Sequence, residues 1–166
     1  SDLDKEFKDS TSKNNDVKSI GAMDSSDRIT GQIGWGVDLD GTNDYLDFGN
    51  ITSISGANNF TLSAWIRPTS TSGQMPIFAK GISSSISLMH DGSQWKGSSN
   101  SDSSDTLYHT QSLARNTNWI YSVMVFDASQ SGNDRFKIYV NGEALNSMTY
   151  STINNQIRNI SCSILS

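Results

Sequence analysis

Glu6 and Glu143 are the only glutamates in this chain. Glycoside hydrolysis needs two carboxyl groups facing each other across the scissile bond. Glu143 directly follows the turn Asn141-Gly142, a place for a solvated side chain, and no aspartate pair stands in a recognisable setting. Nucleophilic catalysis is no better supported. The single cysteine, Cys162, lies between Ile160 and Ile164 with no basic neighbour to lower its pKa, and it has no partner for an intrachain disulfide. The histidines, His90 and His109, stand before an Asp-Gly turn and inside a strand pattern, so both read as surface or sheet-face residues. No Cys/His spacing suits zinc. These residues argue against an enzyme.

Two kinds of binding chemistry remain. Calcium prefers hard oxygen ligands held in loops. Two loops qualify: Asp40-Gly41-Thr42-Asn43-Asp44, and Asp127 with Asn133-Asp134. Asp40 and Asp44 are the first candidates for a structural Ca2+, although turn geometry alone accounts for Asp and Asn at such positions. Sugar binding uses exposed aromatic rings flanked by amides and carboxylates, because the apolar face of a sugar stacks while its hydroxyls are hydrogen-bonded. The candidates are Trp95, just after the Asp91-Gly92 turn and expected on a rim, then Tyr108, His109 and Gln111 on a middle strand, and Trp35.

Charge narrows the partners. Carboxylates outnumber Lys plus Arg 17 to 12, for a net charge of -5, and no basic cluster occurs. Nucleic acid and anionic membrane surfaces both require grouped Lys and Arg, so neither is expected. No apolar run approaches the length of a membrane span, and the first residues given, SDLDKEF, do not read as a signal peptide. An export signal would lie upstream of them.

The elements that must position these groups are strands. Over residues 59–67, Phe60, Leu62, Ala64 and Ile66 share one parity, with Thr61, Ser63, Trp65 and Arg67 on the other. This period of two marks a half-buried strand. Residues 35–40, 44–48, 75–80, 82–90, 106–111, 119–127 and 135–140 read as further strands, with shorter ones at 17–20, 143–148, 157–160 and 161–165. Asp91-Gly92 and Asn141-Gly142 are hairpin signals. No convincing amphipathic helix and no internal repeat appear. At 166 residues the chain is expected to form one domain, an all-β, two-sheet antiparallel β-sandwich.

The order of these pieces resembles the LamG-like jellyroll family of the concanavalin A-like lectin/glucanase superfamily, a relative of laminin G and pentraxin domains. Gly31 to Gly34 followed by Val37-Asp38-Leu39-Asp40-Gly41 is similar to its opening G-x-I-G and L-x-F-D-G, and Asp44-Tyr45-Leu46 to its D-Y-V. Phe60 through Pro68 is similar to F-T-v-s-a-W-v-k-P, and Ile77 through Gly81 to i-l-s-K-G. Trp119 through Asp127 resembles W-h-h-v-a-v-t-y-D, and Phe136 through Gly142 resembles l-k-l-Y-v-D-G with Asn141 where Asp is commoner. The stretch from Asp9 to Asn15 also resembles the family's D-S-S-G-N-g-n.

The resemblance implies a jellyroll with Trp65 and Trp119 at core positions. It also exposes departures. The Glu-x-Asp-x-x-Glu strand of the superfamily's glucanases is absent. The Asp-Asn pair with which pentraxins bind calcium is replaced by residues 82–86, ISSSI. The sequence stops at Ser166, about where the family's glycine-rich turn and last strand would begin. A missing last strand would leave an exposed sheet edge and part of the core open. The chain then reads as a fragment of a larger protein, or as one patched by its own N-terminal segment or by a second copy. The function this implies is a non-catalytic carbohydrate-binding or adhesion module of a secreted or cell-surface protein, with a carbohydrate or glycoprotein ligand and self-association through an exposed edge. A glycoside hydrolase or its accessory domain, and a protein-interaction or spacer domain without a sugar site, are the alternatives.

Overall fold

The computed structural model describes residues 7–54, 57–80, 86–99, 107–109, 113, 116–130, 134, 136–146, 148–150 and 162–165. Among them are fourteen strands and a 3-10 turn at Ser25–Asp27. The strands are β1 (Lys18–Ile20), β2 (Arg28–Thr30), β3 (Trp35–Val37), β4 (Tyr45–Gly49), β5 (Asn59–Ile66), β6 (Met75–Lys80) and β7 (Ile86–His90). They continue as β8 (Trp95–Ser99), β9 (Leu107–His109), β10 (Ile120–Asp127), β11 (Phe136–Val140), β12 (Glu143–Ala144), β13 (Met148–Tyr150) and β14 (Cys162–Leu165).

Two main sheets form, both antiparallel. One runs β1-β4-β14-β6-β7-β8 and the other β12-β11-β10-β5. Two ribbons, β13-β9 and β2-β3, accompany them. The architecture is the all-β jellyroll sandwich. The segment 143–148 expected as one strand divides between β12 and β13, which pair with different partners. The last strand, β14, inserts between β4 and β6 rather than standing at an edge.

The core lies between the two main sheets. The larger contributes Ile77, Phe78, Ile86, Leu88 and Trp95, and the smaller Ile120, Met124, Phe126, Phe136, Ile138 and Val140. The alternation in β10 and β11 is complete: every second residue is buried and those between are partly exposed. Two successive buried residues, Ile77 and Phe78, break the rule in β6. A register shift between Pro76 and Phe78 explains them, since a bulge turns an extra residue inward where proline offers no ladder donor. At Gly97 the sheets touch so closely that a Cβ there would lie 2.6 Å from Phe136 Cζ and 3.0 Å from Ile138 Cδ1.

The Asn141-Gly142 turn adopts positive φ at both residues, 53° and 87°, the twist a two-residue hairpin requires. β5 is less buried than its neighbour. Its core-facing Phe60, Leu62, Ala64 and Ile66 are all only partly buried, whereas the residues opposite them on β10 are fully so.

Candidate ligand-binding site

The β2–β3 hairpin carries the most exposed aromatic side chain among the described residues. Its turn is closed by Gly31 N–H donating to Gly34 C=O at 3.0 Å. Gly34 holds φ +64°, and a Cβ on Gly31 would meet the Trp35 backbone at 2.9 Å, so only glycine fits there. The base of the hairpin is tied by Asp38 N–H to Asp27 C=O at 2.8 Å, behind a 3-10 turn that Asp24 caps through Ser26 N–H at 2.7 Å.

Register decides what this hairpin shows to solvent. Ile29 stands opposite Gly36 and Thr30 opposite Trp35. The Gly36 side faces the sandwich: a Cβ there would lie 3.5 Å from Ile29 Cγ1 and 3.8 Å from Trp119 Cη2. Trp35, one residue earlier, therefore points the other way and is 67 % exposed. The Arg28 guanidinium lies 4.2 Å from its ring centroid, a cation–π contact worth about 0.5–1 kcal/mol at an exposed site. Ile33 at the tip is also exposed.

Trp119 links this hairpin to the outer face of the smaller sheet. Its second neighbour is Arg67, whose guanidinium is 5.3 Å from the Trp119 ring. On the next rung Trp65 stands opposite Tyr121, with ring centroids 5.1 Å apart and planes tilted by 33°. Ser63 and Val123 form the rung after that, and Tyr139 is register partner to Val123 on β11. The outer face of the smaller sheet thus carries an aromatic ladder with the Arg67 guanidinium beside Trp119, while Trp35 and Arg28 stand on the other side of the adjoining hairpin. Indole faces stack on the CH face of a sugar, and guanidinium and hydroxyl groups hydrogen-bond its oxygens.

Three tryptophan placements differ from the expectation. Trp95 is not on a rim. It is 1 % exposed and packs edge-on against His90, centroids 5.3 Å apart at 88°. Tryptophan is bulky and apolar enough that the inward-facing start of β8 takes it into the core. A ring so buried cannot stack on a sugar, which removes Trp95 from the candidate site. Trp65, expected in the core, is 39 % exposed on the outer face, and Trp119 is partly exposed beside it.

His90 is likewise fully buried rather than at the surface. Its Nδ1 accepts the Gly92 N–H at 3.0 Å, so Nε2 carries the proton and donates to Leu113 C=O at 3.1 Å. Tyr108 and His109 lie on β9, paired with β13; their side chains and the whole of Gln111 lie outside the described residues. Of the five expected sugar contacts, Trp35 is exposed and Trp95 is buried. Arg28, Arg67, Trp65, Trp119 and Tyr121, which were not expected as ligand contacts, make the ring and guanidinium contacts of the hairpin and the ladder. The shared parity of residues 61–67 and 119–125 was the available signal.

The calcium candidates serve their own turn. Asp40 Oδ1 accepts backbone N–H groups from Thr42 at 2.7 Å, Asn43 at 3.2 Å and Asp44 at 3.4 Å. These bonds hold the Asp40 carboxyl below the usual aspartate range. Asp44 is buried, accepts Asp40 N–H on Oδ2 at 3.3 Å, and presses its Oδ1 against Gly21, where no side chain would fit. In the other loop, Asp127 Oδ1 takes Ser129 N–H and Oγ–H at 2.9 and 2.6 Å, and Asp134 pairs with Lys137 at 3.3 Å. Calcium needs six to eight oxygens. Among the described residues no three His, Cys, Asp or Glu side chains are grouped to share a metal.

Residues 40–161 match the laminin G-type family of the Concanavalin A-like lectin/glucanases superfamily. The chain belongs to this family. No curated protein matches it. The matched segment of this laminin G-type domain holds the Trp65–Tyr121 ladder, while the Trp35 hairpin precedes it. At the level of the family it is a lectin-like or adhesion module, whose fold accommodates carbohydrate or protein ligands. No helix among the described residues is long and apolar enough to cross a membrane.

Proposed function

We propose that this laminin G-type domain is a non-catalytic recognition module of a secreted or cell-surface protein, and that it binds carbohydrate, free or on a glycoprotein, at the Trp35 hairpin and the adjoining aromatic ladder. The observation that carries the reading is Trp35 itself. It is a large indole held two-thirds in solvent by a glycine-shaped hairpin, with a guanidinium at 4.2 Å. An exposed tryptophan costs hydration free energy that a purely structural role would recover by burial. The chain has only two glutamates and its sequence lacks the Glu-x-Asp-x-x-Glu strand of the superfamily's glucanases, which supports a binding role over hydrolysis.

A glycan-array screen of the chain, repeated with Trp35→Ala, tests the proposal. Binding that falls roughly tenfold in the variant matches the loss of one stacked ring. The contact involves no metal, so binding persists in EDTA. Loss of binding in EDTA with Trp35→Ala still active would move the site to a metal-holding loop. No binding by demonstrably folded protein would sink the carbohydrate reading.

A further inference from the structure

The acceptor pattern for N-linked sugar is Asn-x-Ser/Thr with x other than proline. It occurs at Asn50-Ile51-Thr52, Asn59-Phe60-Thr61 and Asn159-Ile160-Ser161. The last of these lies outside the described residues. The other two sit on different backbones, and that difference decides which of them can carry a glycan in the folded chain.

Asn50 follows β4 and opens a loop. Gly49 ends the strand with φ +59°. A Cβ built on Gly49 meets nothing within 4 Å among the described residues, so the space beside Asn50 is open. Ile51 packs against the core between the sheets. Its C=O accepts Ile54 N–H at 3.2 Å, closing a turn, and Ile54 packs against the same core. With Ile51 turned inward, its neighbours Asn50 and Thr52 are both exposed. The amide that would take the sugar and the hydroxyl two residues on are therefore presented together to solvent, on a loop that two isoleucines hold from behind.

Asn59 is placed differently. It begins β5 and stands opposite Asp127. With its amide nitrogen turned toward acceptors, that nitrogen donates to Asp127 Oδ1 at 2.9 Å and to Asn58 C=O at 2.6 Å. Both amide hydrogens are then in use. A glycosyl bond there would remove one of them and set a bulky group against the Asp127 carboxylate, on the first rung of the β5–β10 ladder.

We propose that Asn50 is an N-glycosylation site and that Asn59 is not. The inference rests on the secreted or cell-surface reading above. The co-reactant is an oligosaccharide carried on a lipid pyrophosphate in the export route. Asn50 Nδ2 forms a C–N bond to the anomeric carbon. The C–O bond to the pyrophosphate breaks, the lipid pyrophosphate leaves with the electron pair, and the amide gives up one proton. The product is a neutral, bulky, hydrated group on an exposed loop of the larger sheet, where it adds solubility and no charge.

The test is expression of the 166-residue chain behind a cleavable export signal in animal cells. Glycopeptide mapping and intact mass are read before and after peptide N-glycosidase, which leaves aspartate wherever it removes a glycan. Asn50→Gln, Thr52→Ala, Thr52→Ser and Asn59→Gln accompany the parent chain, all at exposed positions. The expected product is heavier than the 18.1 kDa chain, with the sugar mapped to Asn50. That glycan should vanish in Asn50→Gln and Thr52→Ala, persist in Thr52→Ser, which keeps the hydroxyl, and be unchanged in Asn59→Gln. Loss of the signal shows that the chain entered the export route. A processed chain bare at Asn50, a glycan at Asn59 in place of Asn50, or an Asn50 glycan that survives Thr52→Ala would each overturn the inference. A glycan array with unglycosylated chain separates the two readings. Array binding with a bare Asn50 sinks this inference alone, and an occupied Asn50 without array binding sinks the carbohydrate reading alone.

Discussion

Trp35 and Trp95 are the same residue type, each beside a hairpin turn, and they should respond to truncation in opposite ways. Trp95 is 1 % exposed, in a core cluster with Phe136 and Ile138. A buried tryptophan removes on the order of 200 Å² from water, an upper bound of about 5 kcal/mol at 25 cal/mol per Å². Large-to-small core substitutions of Phe or Trp cost about 3–5 kcal/mol, so Trp95→Ala is expected in that range. With roughly 2–4 °C per kcal/mol for a chain this size, the midpoint falls by about 6–20 °C. Trp35 is 67 % exposed, and its main recorded contact is the Arg28 cation–π pair. Trp35→Ala should cost no more than about 1 kcal/mol. Urea unfolding followed by far-ultraviolet circular dichroism, which does not depend on the deleted fluorophore, separates the two. A Trp95→Ala curve that overlays the parent, or a Trp35→Ala loss as large as that of Trp95→Ala, would refute the assignment of faces on which both the core and the binding site rest.

Other perturbations follow from the same geometry. Gly97→Ala drives a methyl group against Phe136, which is fully buried and cannot retreat; a loss of about 1–3 kcal/mol is expected in the same unfolding assay. Gly21→Ala combines φ +108° with a collision at Asp44, and it should lower the thermal midpoint more than Gly41→Ala, which has positive φ but open space around it. Asp91 is held well below the usual carboxylate range, first by the Lys96 ammonium and then by the N–H groups of Ser93 and Gln94. Because its folded pKa is depressed, its contribution is complete above the unfolded value of about 3.9 and is lost as pH falls below it. Urea midpoints measured from pH 6 down to pH 2 should therefore drop less steeply in Asp91→Asn than in the parent chain.

The strand framework was legible in the sequence because side-chain alternation and turn chemistry are local. A period of two at 59–67 and 119–127 requires a half-buried strand wherever it is packed, and Asn141-Gly142 adopts positive φ at both residues because few other pairs can do so cheaply. The order of motifs was enough to indicate the family. The shortage of glutamate and the lone cysteine likewise bear on chemistry without any coordinates.

What only the tertiary structure decided is which face each strand turns inward, and what lies across from it. Alternation divides Trp65 from Leu62 but is silent on which side meets water, because that depends on the second sheet. Register is non-local too: Trp35 is exposed because Gly36, paired with Ile29, and not Trp35, paired with Thr30, takes the side that faces Trp119. Trp95 is buried because its strand closes on β7 with His90 beside it. Cys162–Leu165 pairs with β4 and β6 in the larger sheet, and a strand's partners are set by contacts far along the chain that no local pattern encodes.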